Sequence, residues 1–198
     1  MLEQHFGDKY PLSLQNEYMF LKQKFRLQPI DKHLWKFLRL RPVNFPSIRI
    51  AQFADLIHRS SNLFSMILEA GSVKDFQKLM NVSASGYWNS HYIFDKAVAE
   101  KQKSFGEDAV NTIIINSVVP FLFVYGKYKG EEEFVTRSIT LLENIKSENN
   151  SIIKEWTLRK VRSENAYCSQ ALLQLKNEYC NSKKCLSCNI GNYLLKNS

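Results

Sequence analysis

Three cysteines set close together, Cys180, Cys185 and Cys188, are the residues whose type and spacing most directly suggest chemistry. Cys185 and Cys188, with two residues between them, form the reverse-turn pair that ligates zinc or an iron–sulfur cluster. Cys180, with four residues between it and Cys185, can close onto the same ion. The x4, x2 spacing also matches the plant-type 2Fe–2S pattern, whose fourth cysteine lies further along, but none follows Cys188. Cys168 precedes Cys180 by twelve positions, about 18 Å along a continuous helix, so it joins only if that helix breaks. His91 or His58 are the other candidate fourth donors. The competing reading is a set of reduced structural thiols or a partial disulfide, with Lys183 and Lys184 offsetting thiolate charge in either case.

A second constellation is Arg39, Arg41, Asn44 and Arg49 around Pro42 and Pro46, interleaved with Trp35, Phe37 and Phe45. Guanidinium groups bind phosphate bidentately and aromatic rings stack on unpaired bases, which suits nucleic-acid binding. The alternative places the aromatics in a core and has the arginines cap carbonyls or pair with acids. His33, His58 and His91 lack a matching nucleophile and orienting acid, so no catalytic triad is arguable.

The charge is uneven. Of a net +8, residues 22–59 contribute +7, with nine Lys or Arg against two acids, and residues 154–184 add +4. A localised positive field suits phosphate backbones or an acidic protein surface, while a solvated basic face with no ligand is the plain alternative. No uninterrupted apolar run reaches the roughly 18 residues of a bilayer span, and residues 1–10 lack the pattern of a secretion signal. The expectation is a cytoplasmic protein with no membrane partner, in which thiols are free or metal-bound rather than paired.

These residues need elements to position them, and the composition favours helix. A hydrophobic share of 44%, with 13 Phe, 9 Tyr and 3 Trp, argues for a packed core, and 7 Gly and 5 Pro are few for a many-turned β design. The spacing predicts helices over Pro11–Phe25, capped by Ser13, and over Ser47–Gly71, with Ile50, Phe53, Ala54, Ile57, Leu63, Phe64, Ile67 and Leu68 on one broad apolar face. A shorter helix follows over Ser72–Met80, then an irregular aromatic linker over residues 81–105. Gly106–Tyr125 reads as a central buried helix in which Pro120 predicts a kink or break. Further helices are expected over Glu131–Ile145, Ser151–Val161 and from a Ser163 cap to Tyr179. The fold class is mainly α: an irregular bundle of six or seven helices with room for one short β pairing. It is read as one domain over 1–198, with 180–198 as a hook whose Ile190, Tyr193 and Leu194 pack back on the bundle.

Four stretches carry a resemblance: Trp35–Ala54, Tyr87–Tyr92, Asn116–Gly126 and Tyr179–Gly191. In this order they resemble the C-terminal half of DUF2851, a Bacteroidetes family of unknown function. The resemblance implies members about twice this length, with an N-terminal half similar to a PD-(D/E)xK-type nuclease core whose candidate acids are missing here. Met1 would then match a point inside the longer proteins. The function expected is a non-catalytic helical module that binds nucleic acid or packs on that nuclease-like domain. The alternative is a metal or Fe–S enzyme or redox module built on the cysteine cluster.

Overall fold

The computed structural model describes residues 4–37, 40, 41 and 44–197. The fold is mainly α with one short antiparallel β pairing, as the patterns predict. Contacts divide it into two compact units, one from residues 1–66 and 78–106, the other from residues 67–77 and 107–198.

The first unit opens with α1, Lys9–Phe25, which begins two residues before the expected start. Asp8 is its N-cap in extended conformation, and Arg26, in the left-handed region, ends it. Ser13 does not cap this helix; its hydroxyl donates to the Tyr10 carbonyl at 2.8 Å. Helix α2, Pro46–Arg59, starts with proline at its first position, where the missing N–H costs nothing. Its Ser47 hydroxyl is buried and donates to the Tyr92 carbonyl at 2.6 Å. The helix expected to run on to Gly71 stops at Ser60 and restarts as α3, Leu63–Glu69. Ser60, Ser61 and Asn62 between them are residues whose side chains compete for backbone hydrogen bonds.

Helix α4, Val73–Leu79, is entered through a side-chain cap: the Ser72 N–H and hydroxyl both donate to the Asp75 carboxylate, and Asp75 N–H donates to the Ser72 hydroxyl.

Residues 81–105, expected to form a linker, are instead central to the first unit. They hold the one-turn helix α5, Gly86–Asn89, and strands β1, His91–Ile93, and β2, Lys96–Ala97, paired antiparallel. Trp88 is 3% exposed and clusters with Ile48 and Ala84, with Tyr10, Phe45, Tyr87, Tyr92 and Phe94 packed around them. No periodicity announces this core, because turns and single aromatic anchors build it.

In the second unit α6 runs over Glu107–Lys129. By length and composition it could cross a membrane, a test that the core helix of a soluble protein also passes. Within it Ile114–Val118 forms a π-helical turn, and Pro120 is the second residue of the α-helical segment that follows, Val119–Lys129. The wider turn accommodates the lost donor and the ring of Pro120, and Val119 N–H reaches back five residues to the Ile114 carbonyl. Gly130, at φ 73°, closes the helix. Helix α7, Glu132–Asn144, packs antiparallel to the end of α6 across that turn, with Gly126 against Glu131 and Val135. Asn150 caps α8, Ser151–Leu158, and Asn165, rather than Ser163, caps α9, Ala166–Gln174. A π turn over Leu175–Cys180, a 3-10 turn over Cys185–Ser187 and α10, Asn189–Lys196, complete the described chain.

Candidate binding site

The first unit contains an open cavity of about 700 Å3 between α1 and α2. Tyr10, Leu14, Tyr18 and Leu21 recur at three- and four-residue steps, so one face of α1 turns toward it. Ile50, Ala51 and Ala54 of α2 form the opposite side, and Trp88 and Phe94 meet it from the aromatic core. Among the described residues, Glu17 and Asp31 are the charged ones on its wall. Two polar atoms of lining residues, Tyr18 Oη and Trp88 Nε1, are buried out of solvent reach and have no hydrogen-bond partner among the described residues.

Lys103 holds the core beside this cavity together. Its side chain is buried, yet its ammonium donates to the Trp88 and Asn89 carbonyls at the end of α5 and lies 4.3 Å from the Tyr92 ring centroid. Its own carbonyl accepts from the Gln52 side chain at 2.9 Å and from the Ala84 N–H at 3.1 Å. Burial, and then the like charge of Lys101, pull its pKa below the usual lysine value. Carbonyls at a helix C-terminus favour a cation, and these contacts satisfy the donors of an otherwise costly buried charge.

A second polar network ties the start of the chain to the β turn. Asp95, at φ 58°, accepts the Gly7 and Asp8 N–H groups at 2.9 and 3.0 Å. The Gly7 contact is the main reason its pKa is lowered. The Tyr87 hydroxyl donates to Asp8 Oδ2 at 2.8 Å and accepts from Asp95 N–H at 3.0 Å. His91 stacks on the Tyr87 ring with centroids 4.0 Å apart, and its Nε2 lies 3.5 Å from Asp8 Oδ2. Its Nδ1 faces the Tyr87 carbonyl and the Ser90 hydroxyl. His91 thus serves as a structural imidazole in this network.

Burial, with hydrogen bonding and the negative charge of Asp8 adding to it, pushes the Tyr87 phenol up to about 12. The folded state then holds a proton that the unfolded state releases between about pH 10 and pH 12. Stability is therefore expected to fall as pH rises through that window. Phenolate absorbance during an alkaline titration checks this, and Tyr87→Phe should remove the last phenol to ionise.

The basic segment is only partly available for a ligand. Arg39 lies outside the described residues, and Arg41 is exposed. Arg49 donates to Gln52 Oε1 at 3.0 Å and to Asn44 Oδ1, and stacks over the Phe105 ring at 4.9 Å. Burial lowers its pKa. Asn44 and Arg49 are therefore brought together, with Asn44 exposed and Arg49 partly buried. Phe37 and Phe45 meet edge to face at 5.3 Å.

All four cysteines are free; Cys180 and Cys185 are exposed, while Cys168 and Cys188 are partly buried. Cys185 and Cys188 share a 3-10 turn, with Cys188 N–H donating to the Cys185 carbonyl at 3.2 Å. Among the described residues, no group of three or more His, Cys, Asp or Glu side chains is gathered as a metal would require. The hook closes through its backbone instead. A Cβ on Gly191 would lie 2.6 Å from the Cys185 carbonyl oxygen, so only glycine fits there. Ile190, Tyr193 and Leu194, expected to pack back on the bundle, are exposed.

The apolar face of α2 also differs from expectation. Ile48, Gln52 and Leu56 are the buried stripe, while Ile50, Phe53 and Ile57 are 45, 57 and 48% exposed. The choice turns on Gln52, which reaches the Lys103 carbonyl and so draws a polar side chain inward. Nothing in the spacing around Lys103 signals this partnership.

These features define a mainly helical protein with an apolar cavity in its first unit. The model of a family described as a protein of unknown function, DUF2851, matches residues 1–151, and the chain belongs to that family. The match takes in the first unit, α6 and α7, and the cysteine tail lies beyond it. No curated protein and no solved structure matches the chain.

Proposed function

We propose that this chain is a non-catalytic helical binding module whose first unit packs against a second folded domain, of the nuclease-like kind that the family resemblance implies. The observation that carries this is the outward stripe of α2. Ile50, Phe53 and Ile57 follow one another at three- and four-residue steps on one helix face and remain about half exposed. The helix uses its other face for the core, so Phe53 and Ile57 lie off the buried stripe, while Ile50 also lines the cavity. Apolar side chains grouped this way mark interaction surfaces.

A nucleic-acid partner is the second reading, favoured by the nine Lys or Arg within residues 22–59. Of its candidate residues that are described, Arg41 and Asn44 are exposed, and Asn44 accepts from the partly buried Arg49.

Titration calorimetry against the purified N-terminal half of a longer family member tests the proposal. A complex is expected, and Phe53→Ser should weaken it by about tenfold or more, the loss of one well-buried apolar anchor. Because Phe53 lies outside the core, the variant's thermal stability should match that of the parent. Absence of a complex, or equal affinity for the variant, overturns the docking claim. A complex of this kind also changes little with salt, whereas one held by phosphate contacts weakens steeply.

A further inference from the structure

Two of the four cysteines, Cys185 and Cys188, stand where the backbone itself sets their separation. Cys185 opens the 3-10 turn over Cys185–Ser187, and Cys188 N–H donates to the Cys185 carbonyl at 3.2 Å to close it. The α-carbons at the two ends of a hydrogen-bonded turn lie less than about 7 Å apart. A disulfide spans α-carbons about 4.4–6.8 Å apart, so this turn brings the pair into bonding range.

Both ends of the turn are also fastened to α10. The Cys185 backbone takes the close approach of Gly191, Cys188 is the N-cap of the helix, and Asn192 N–H donates to the Cys188 carbonyl at 2.8 Å. The two thiols therefore need no further loop closure to meet, and groups held at short range react as though highly concentrated. Both are free, with Cys185 exposed and Cys188 partly buried, so a reagent arriving from solution reaches Cys185 first. Lys183 and Lys184, both exposed, come immediately before Cys185, and their charge favours an anionic reagent. The other cysteines are placed differently. Cys168 is partly buried on α9, and Cys180 ends the π turn, where its carbonyl accepts from Lys183 N–H at 3.1 Å in a turn of its own.

We infer that Cys185 and Cys188 form a reversible dithiol–disulfide couple, oxidised by a small anionic disulfide such as glutathione disulfide. The Cys185 thiolate attacks one sulfur of the reagent, which makes a mixed disulfide and releases one glutathione thiolate. The Cys188 thiolate then attacks the Cys185 sulfur, which closes the bond between the two cysteines and releases the second glutathione. Two protein thiols give up two electrons and two protons, and one glutathione disulfide becomes two thiols. The closed bond ties the 3-10 turn to the N-cap of α10, the helix that carries the exposed Ile190, Tyr193 and Leu194. The inference goes beyond the docking proposal, which rests on the first unit, whereas this turn belongs to the second.

The test equilibrates the reduced full chain, without air, against glutathione and glutathione disulfide at a series of ratios. Free thiols are then trapped with an alkylating reagent and read by intact mass and peptide mapping. As the disulfide share rises, the chain should lose two alkylation sites and two hydrogens in one two-electron transition, with the new bond mapped between Cys185 and Cys188. Cys180→Ser should leave the midpoint ratio within about twofold of the parent. Cys188→Ser should stop at the mixed disulfide, with glutathione held on Cys185. Thiols at 185 and 188 that stay alkylatable at every ratio would overturn the inference. So would a bond mapped to Cys168 or Cys180, a transition abolished by Cys180→Ser, or an intramolecular bond that persists in Cys188→Ser.

Discussion

Gly126→Ala should lower the stability of the second unit by about 2–3 kcal/mol, in the range found for overpacked interiors. A Cβ at this position would stand 2.9 Å from the Glu131 carbonyl oxygen, 2.9 Å from Val135 Cγ2 and 3.0 Å from the Val135 N. Two of these neighbours are backbone atoms of the turn and of α7, so no side-chain rotation relieves the clash. The change also runs against local propensity, since alanine in a helix interior ordinarily gains up to about 1 kcal/mol over glycine. A loss therefore isolates the packing term. Thermal unfolding should show a midpoint lower by about 5–10 °C. Gly106→Ala, just before the start of α6 and with nothing within 4 Å of its added carbon, is a control without the clash. A Gly126→Ala midpoint equal to that of the control would mean that α6 and α7 do not approach this closely.

Lys103→Met should cost the first unit about 3 kcal/mol, because the methionine keeps most of the stem but leaves the Trp88 and Asn89 carbonyls without their charged donor. Replacing a whole buried ion pair by hydrophobes is often neutral. Here the partners are main-chain carbonyls that no substitution at position 103 removes, so the neutral outcome is closed off. Chemical denaturation followed through tryptophan fluorescence would read the loss. A variant as stable as the parent would show that water replaces the ammonium at those carbonyls.

Helix content was legible because α1, α6, α7 and α9 repeat apolar residues with helical spacing, and their approximate boundaries follow from it. Caps were less so: Ser13, Ser47 and Ser163 are all plausible cap residues, yet the Ser47 and Ser163 hydroxyls bond to Tyr92 and Ser147 in the tertiary fold. The inward stripe of α2 was misjudged because hydrophobicity alone cannot weigh a Gln52 whose partner lies 51 residues away. The core around Trp88 was hidden for a related reason: β1, β2 and α5 are each too short to show a period. Among the candidate site residues, Asn44 and Arg49 were read together from their spacing, which does not show that the two side chains also bond to one another. The cavity itself left no local pattern, since its wall is drawn from residues far apart in the chain.

The π turn in α6 acts as a correction of phase. Val110, Ile114, Val118, Leu122 and Gly126 are all buried and stand four residues apart. On a uniform α-helix such a row drifts about 40° per step, enough over its length to carry Gly126 well away from the side where Val110 began. The wider turn over Ile114–Val118 winds back about 100° of that drift, so the row keeps to one broad side of the helix. The row thus depends on a count as well as on side-chain type: one residue removed from this turn would rotate everything beyond it by about 100° and put a face other than that of Gly126 against α7.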